Sequence, residues 1–281
     1  MIADAVRTLE LPTHRVRYAA RKAENSPTPL MFLHGGAVDY RMWGRQLADF
    51  PERSVFAPDA RGHGGSSDAE EPYRLVDDVI DLMDALGLER VIPVGISMGG
   101  GTAVDLALEY PERTSGVIVS GTGTSEPEFH GSWAQQTFRE LADAEREADI
   151  EHWLAVFMRF TSGPYRSRAD MSPEVWTLVE RMARDIVTEH TRVGPDGAPI
   201  QPLRPTPVLH TWERLENITV PVLALPGALD GPDHRSLGRR VAAAVPSGEY
   251  AEVSNSGHYP NLENPESFNG EIKRFLARHG L

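Results

Sequence analysis

Short runs of apolar residues alternate along the chain with longer stretches whose apolar residues are spaced as on one face of a helix. The continuous runs predict buried strands at 30–33, 91–94, 117–119 and 222–225 and in the segment SVFAP. Alternating polarity at 14–22 predicts an early antiparallel strand, and residues 73–88 predict an amphipathic helix. Strands that alternate with helices indicate an α/β fold, with a mostly parallel central sheet flanked by helices.

One long segment interrupts this alternation. Residues 122–210 contain several helical patterns and no obvious strand. The segment is too long for an ordinary loop. We therefore predict a helical cap inserted at 122–210, and a core formed by 1–121 together with 211–281.

Composition narrows the class of protein. The chain has 281 residues, enough for one large core or for a core with an inserted subdomain. Its net charge of -13 disfavours nucleic acids and anionic membranes as partners, because both would be repelled. There is no cysteine, which excludes disulfides and thiolate chemistry. The N-terminal residues lack the apolar core of a secretory signal and no apolar run could span a bilayer, so we expect a cytoplasmic location.

The most informative motif places a serine between glycines, where the run at 91–94 gives way to the helical pattern of 98–110. In Gly95-Ile96-Ser97-Met98-Gly99, the flanking glycines allow strand and helix to pass closely while the serine hydroxyl stays accessible. The motif predicts a nucleophile elbow with Ser97 as the nucleophile. An incidental serine in a glycine-rich turn is the alternative for the motif alone.

A serine nucleophile needs a base and an acid that orients the base. Asp230 follows the apolar run at 222–225, and His258 stands in a loop before the last helical pattern. Both follow apparent strands, at the edge where parallel sheets place their sites. The chain order Ser97, Asp230, His258 is the order of α/β-hydrolase triads. Asp233 is the rival acid, but it follows Pro232 and has the position of an N-terminal helix residue.

Five motifs in this order resemble the α/β-hydrolase superfamily. They are LHGG at 33–36, PDARGHGGS at 58–66, GISMGG at 95–100, PGALD at 226–230 and SGHYPNLENP at 256–265. The resemblance implies the α/β-hydrolase fold and an acyl-enzyme on Ser97, with the backbone N–H groups of Met98 and Gly36 as the oxyanion hole. Among the members, the chain is similar to cap-bearing esterases and lactonases, including enol-lactone hydrolases of aromatic catabolism. The substrate is then a small molecule with a carboxylic ester or lactone.

Other functions stay open for a chain with these motifs. Hydrolytic C–C cleavage uses the same triad under a similar cap, and perhydrolases have a similar elbow. A non-hydrolytic biosynthetic member or a ligand-binding protein on the same scaffold is a further alternative, because fold does not determine function. No ligand cluster or phosphate-binding glycine motif is evident, so we expect neither a metal nor an organic cofactor. The sequence does not indicate the oligomeric state.

The remaining candidates have structural interpretations. We expect His34 to shape the turn after its strand, His63 to have a structural role, and His234 to lie at a helix start or on the surface. The cap holds a set of large apolar residues that fit a cap core, although some could line a pocket. They are Phe129, Trp133, Phe138, Trp153, Phe157, Met158, Phe160 and Trp176.

Overall fold

A computed structural model describes residues 6–195, 199–200 and 202–281. Its main feature is an eight-stranded sheet in the order β1-β2-β4-β3-β5-β6-β9-β10. The strands are β1 (Val6–Glu10), β2 (Arg15–Arg21), β3 (Leu30–Leu33), β4 (Val55–Pro58), β5 (Ile92–Ile96), β6 (Val117–Ser120), β9 (Val222–Ala224) and β10 (Gly248–Tyr250). The pairs β1–β2 and β2–β4 are antiparallel, and all neighbouring pairs from β4 to β10 are parallel. The predicted mostly parallel sheet is confirmed.

Helices cover both faces of this sheet. They are α1 (Gly44–Asp49), α2 (Leu75–Leu86), α3 (Met98–Glu109), α7 (Thr211–Arg214), α8 (Pro232–Ala244), α9 (Pro260–Glu263) and α10 (Pro265–His279). Alternate residues of β3 enter two separate apolar clusters: Phe32 packs in one with Phe268, and Met31 in the other with Leu82 and Val241. Successive residues of a strand point to opposite faces, so the four apolar residues of β3 serve both clusters.

The segment predicted as a cap contains α4 (Ser132–Arg146), α5 (Ile150–Ser162) and α6 (Pro173–His190). It also contains two strands, β7 (Arg192–Val193) and β8 (Pro199–Ile200), which pair with each other in antiparallel fashion. The prediction of a segment without strands is therefore wrong at this hairpin. The boundaries of the cap at 122–210 stay a prediction. Among the helices of the described residues, none combines the length and the apolar character needed to cross a bilayer.

The parallel strands bring four loops to one edge of the sheet. The LHGG loop follows β3, Ser97 directly follows β5, Asp230 comes six residues after the end of β9, and His258 comes eight residues after the end of β10. Because carboxyl ends of parallel strands meet at the same edge, residues distant in sequence converge there.

Candidate active site

Ser97 occupies a strained turn between β5 and α3. Its backbone angles are φ 54 and ψ -118, in a region that residues with a side chain rarely adopt. A Cβ on Gly95 would lie 2.0 Å from the carbonyl oxygen of Gly99, and a Cβ on Gly99 would lie 2.2 Å from that of Leu33. Only glycine fits at these two positions, which is the local reason for the spacing of the motif.

Asp230 and His258 form a buried pair. Nδ1 of His258 donates to the carboxylate of Asp230, at 3.1 Å from Oδ2 and 3.3 Å from Oδ1. Both residues are 1% exposed. The backbone N–H of Gly231 also donates to Oδ1 of Asp230, at 2.7 Å. An ionised carboxylate accepts hydrogen bonds only, so this contact fixes the proton of the imidazole on Nδ1.

The charges around Asp230 keep it ionised. Burial by itself raises the pKa of this carboxyl group, but the charges of His234 and His258 outweigh burial. Together with the hydrogen bond from His258, they hold the pKa of Asp230 well below its usual range. A carboxylate that stays ionised in a buried site can stabilise an imidazolium beside it.

Ser97 and His258 contact two consecutive residues, Ser120 and Gly121. The N–H of Ser97 donates to the carbonyl oxygen of Ser120 at 2.8 Å. The ring of His258 lies against Gly121, where an added Cβ would come within 2.9 Å of Cε1. Among the described residues, Nε2 of His258 has no hydrogen-bond partner, so it makes no hydrogen bond to the hydroxyl of Ser97. Catalytic hydrogen bonds are often long without substrate and tighten in the Michaelis complex.

The LHGG loop lies beside Ser97. A Cβ on Gly35 would be 3.4 Å from Cβ of Ser97. His34 holds the loop, because its Nδ1 donates to the carbonyl of Gly35 at 2.7 Å and its Nε2 accepts the N–H of Ala60 at 2.9 Å. This agrees with the expected turn-shaping position of His34. Within the part of the chain that the structure describes, the backbone N–H groups of Gly36 and Met98 donate to no protein acceptor. Both groups are therefore available to a ligand.

Asp233, the rival acid, and His63, for which a structural role was expected, both have partners outside the Asp230–His258 pair. Oδ2 of Asp233 accepts the N–H of Gly131 at 2.9 Å, and Asp233 lies in the first turn of α8. Nε2 of His63 accepts the N–H of Ala37 at 3.3 Å, and its Nδ1 donates to the carbonyl of Arg61 at 2.9 Å. Both sets of contacts are structural.

His234 takes one of the two places expected for it. It lies in the first turn of α8, as a helix-start residue, but it is 1% exposed and not on the surface. Its Nδ1 is 3.3 Å from Oδ1 of Asp230, and its ring centroid is 4.8 Å from that of His258. Of the two alternatives, the helix start holds and the surface does not, because Phe129 and Phe160 pack against the ring of His234. The spacing of four residues from Asp230 was the available signal in the sequence.

Asp230, His234 and His258 offer ligand atoms that lie within 4.8 Å of one another. Two imidazoles and one carboxylate form a donor set that zinc accepts. The fit is poor, however, since Nδ1 of each imidazole already faces an oxygen of Asp230 at hydrogen-bonding separation. A second group contains His14, Asp78 and Asp81. There Asp78 is engaged by Arg61 through two contacts of 2.8 Å. We assign a metal to neither group.

A cavity of about 810 Å³ opens between the cap helices and the sheet edge. Met98, which carries one of the two available N–H groups, and Ala37, which follows Gly36, line the cavity on the side of the sheet. Apolar side chains on its cap side include Trp153 and Ile186. Two arginines on its wall contact partners of opposite charge, Arg61 with Asp78 and Arg204 with Glu145, and His190 is hydrogen-bonded to Asp68. An adjoining groove of about 1160 Å³, which shares Arg61, Asp68 and His190 with this cavity, is lined by many charged residues and by none of the predicted site residues.

Most large cap residues pack among themselves. Trp133 stacks on Phe160 at a centroid separation of 6.0 Å, and Phe160 meets the ring of His258 edge-on at 4.6 Å. Trp153 stacks on Phe157 at 5.3 Å and also lines the cavity. The cap core thus contacts the back of the His258 ring, while Trp153 faces the open space.

A buried ion pair connects the cap segment with the loop of His258. Arg166, which follows α5, pairs with Glu263 of α9, and their side chains are 8% and 6% exposed. Oε1 of Glu263 also accepts the N–H of Gly257 at 2.9 Å. The residue before His258 is therefore held by a carboxylate whose counter-charge comes from the cap segment.

Asp59 links two loops at the sheet edge without reaching His258. Its Oδ1 accepts the N–H of Tyr40 at 2.8 Å, and its Oδ2 accepts the N–H of Gly65 at 3.0 Å. Burial, and next the charge of Asp39, raise the pKa of Asp59 to about 7, although the two N–H groups act against this shift. The carboxyl group is 1% exposed, in agreement with a large effect of burial.

The raised pKa of Asp59 predicts a pH-dependent stability. The native group binds its proton more tightly than the unfolded chain, whose pKa is near 3.8. Its contribution is therefore complete below pH 3.8 and is lost as the pH rises through 7. Between pH 5 and 8 we expect the wild type to lose about 2 kcal/mol relative to Asp59→Asn. Urea unfolding of both proteins at the two pH values measures this, and an equal difference at both would contradict it.

Comparisons with known proteins agree with this architecture. A family model for the alpha/beta hydrolase fold matches residues 28–265. The chain is 29% identical over 280 residues to 3-oxoadipate enol-lactonase 2 of Acinetobacter baylyi, with 96% of each chain covered. It is 28% identical over 254 residues to the carboxylesterase YbfK of Bacillus subtilis, covering 88% of this chain and 80% of the other. A solved hydrolase from Pseudomonas aeruginosa PA01 superimposes with a TM-score of 0.76 at 25% identity, covering 98% and 99% of the two chains.

Proposed function

The chain belongs to the α/β-hydrolase fold family, and we propose that it hydrolyses a small to medium carboxylic ester or lactone through an acyl-enzyme on Ser97. One observation carries the proposal: a buried, ionised Asp230 holds the imidazole of His258 at the sheet edge where Ser97 occupies a strained strand-to-helix turn. The lactonase and esterase relatives support the proposed bond type, and the arrangement of the residues supports the proposed mechanism.

His258 acts as the base in this proposal. Its Nδ1 is occupied by Asp230, so Nε2 carries the lone pair that takes the proton from the Ser97 hydroxyl. The alkoxide oxygen attacks the carbonyl carbon, and the imidazolium of His258 is stabilised by Asp230. The proton then passes to the leaving alcohol oxygen as the ester bond breaks. Water deprotonated by His258 attacks the acyl group in the second half, and Ser97 regains the proton.

The backbone N–H groups of Gly36 and Met98 stabilise the oxyanion. They are free of protein acceptors within the described residues, and they lie on the loop and the helix that flank Ser97. Met98 is the first residue of α3, where the helix dipole favours negative charge. A donor of this kind contributes on the order of 3 kcal/mol to lowering the barrier.

The cavity next to Met98 supports a mainly apolar substrate. Trp153 and Ile186 offer apolar contact area there. Arg61 and Arg204 on its wall are already engaged by Asp78 and Glu145, which leaves these cations poorly suited to a substrate carboxylate. The proposed substrate is therefore an ester or lactone with an apolar acyl or alcohol part.

Labelling by a fluorophosphonate tests the nucleophile directly. Such a probe reacts with an activated serine and reports no ordinary hydroxyl group. We expect one labelled site, on the peptide that contains Ser97, and no label in Ser97→Ala. A folded wild type that takes up no probe would overturn the proposed function. A substrate panel of esters, lactones and vinylogous diketones then separates ester cleavage from C–C cleavage.

The wall of the cavity gives a specificity prediction. Trp153→Ala removes apolar contact area at a distance from Ser97, so we expect KM for a bulky ester to rise roughly tenfold with a smaller change in kcat. KM for an acetate ester should change less, because a short acyl group does not reach Trp153. Steady-state kinetics on both esters measure the difference, with Trp176→Ala as the control at a cap tryptophan outside the lining. Equal changes for the two esters would contradict the assignment of this cavity.

A further inference from the structure

Asp230 is contacted by a second buried imidazole for which the proposed mechanism has no use. Nδ1 of His234 lies 3.3 Å from Oδ1 of Asp230, and both side chains are at most 2% exposed. Among the described residues, this Nδ1 has no partner with hydrogen-bond geometry. Buried polar atoms without a hydrogen bond are costly, so their retention needs a reason.

Aromatic rings on three sides hold the imidazole of His234 in place. The ring centroids of Phe129, Phe160 and His258 are at 5.2, 5.4 and 4.8 Å. Pro232 begins α8 just before His234 and fixes the backbone from which its side chain departs. The imidazole therefore points at the carboxylate because its surroundings leave it little freedom to turn away.

The proton on this imidazole can be assigned from its neighbour. Asp230 is ionised and accepts only, so an unprotonated Nδ1 would place a lone pair against an oxygen lone pair. A protonated Nδ1 instead directs a positive N–H toward Oδ1. The carboxylate then faces two imidazole N–H groups, one from His258 and one from His234, in addition to the N–H of Gly231.

We propose that His234 is a positioning residue that shares the charge of Asp230 with His258 and so sets the acidic limb of the pH profile for reaction at Ser97. The proposal rests on the proposed function. Each imidazole N–H competes for the same carboxylate, so the cation that forms on His258 is stabilised less than it would be by Asp230 alone. The result is a base that stays unprotonated to lower pH.

Other titratable groups around this cluster are few and have defined places. Tyr259 follows His258 and is buried, and burial followed by the charge of Asp230 raises its pKa, so it stays neutral. The Arg166–Glu263 pair lies behind Gly257, and its charges compensate each other. Asp233, on the same helix as His234, is engaged by the N–H of Gly131. The cap contributes aromatic rings to this cluster, from Phe129 and Phe160.

The test measures the second-order rate of fluorophosphonate labelling at Ser97 between pH 5 and 9, which needs no knowledge of the natural substrate. His234→Phe keeps a ring and removes the N–H. We expect its acidic limb to move to higher pH by about one unit. His234→Asn places an amide N–H where Nδ1 stood, and its limb should stay near that of the wild type. Phe129→Leu loosens the packing of the His234 ring but keeps the N–H, and should leave the limb in place.

Each outcome decides a different claim. An unshifted limb in His234→Phe, or a shift of the same size in Phe129→Leu, would reduce His234 to a packing residue and overturn the inference. If circular dichroism shows that His234→Phe does not fold, His234→Leu gives the same comparison with a smaller side chain. A limb in His234→Asn that differs from that of the wild type would also count against the proposal. If the wild type is not labelled at all, the proposed function is overturned. If the wild type is labelled but the acidic limb of His234→Phe does not shift, only the inference about His234 is overturned.

Discussion

Ser97→Ala is expected to lower kcat for ester hydrolysis by about a millionfold. The substitution removes the oxygen that would form the acyl-enzyme, and water in its place is neither positioned nor activated in the same way. The fold should be unaffected, since the strain at φ 54 belongs to the backbone and alanine adopts it no worse than serine. Kinetics on a chromogenic ester measure the loss, and a thermal unfolding midpoint close to that of the wild type shows that the variant is folded.

Ser120→Ala is the matched control for this loss. Its hydroxyl oxygen is buried at the neighbouring strand end and has no hydrogen-bond partner in the described part of the chain. Only its backbone carbonyl contacts Ser97. We expect this variant to keep most of the activity. If Ser97→Ala retained activity within tenfold of the wild type, the covalent mechanism would be wrong.

Asp230→Asn is expected to lower kcat roughly ten-thousandfold. The amide has almost the same shape as the carboxylate, but it carries no charge, and it can donate to His258 in place of accepting. The imidazole is then held with its proton on the wrong nitrogen, and the cation that forms during the reaction loses its partner. Steady-state kinetics near neutral pH give the size of the effect.

Asp233→Asn separates this effect from a general loss of acidity near α8. The oxygen of asparagine can still accept the N–H of Gly131, so the start of the helix is preserved. The side chain of Asp233 has no contact with His258 among the described residues, and we expect little change in kcat. A severe loss in Asp233→Asn together with a mild one in Asp230→Asn would exchange the roles of the two aspartates.

The sequence predicted those strands that carry continuous apolar runs. Residues 30–33 and 117–119 were predicted as strands, and the structure has β3 and β6 there. The edge strands β1 and β10 have no such run, and all three residues of β10 are half-buried. A strand at the edge of a sheet is exposed along one side, so its residues need not be apolar. The hairpin of β7 and β8 has two residues in each strand and was missed for the same reason.

The sequence likewise predicted only some of the residues of the candidate site. Strand ends and chain order predicted that Asp230 and His258 come together, because the topology of a parallel sheet places such ends on one edge. His234 could not be placed in this way. Helical spacing gives the face of a residue relative to its own helix, but the direction in which the start of α8 points depends on the packing of Phe129 and Phe160 from the cap. Tertiary packing of this kind leaves little trace in a local pattern.

The buried pair of Arg166 and Glu263 limits how this protein can be recombined with its relatives. Replacing residues 122–210 by the corresponding segment of another family member would leave Glu263 buried and uncompensated unless the new segment supplied a cation at the place of Arg166. A lone buried charge of this kind costs about 3–5 kcal/mol. Because Glu263 also holds the N–H of Gly257, the cost would fall on the loop of His258. An exchange of this segment therefore needs a matching positive charge at the place of Arg166, or the exchange of the loop of His258 together with it.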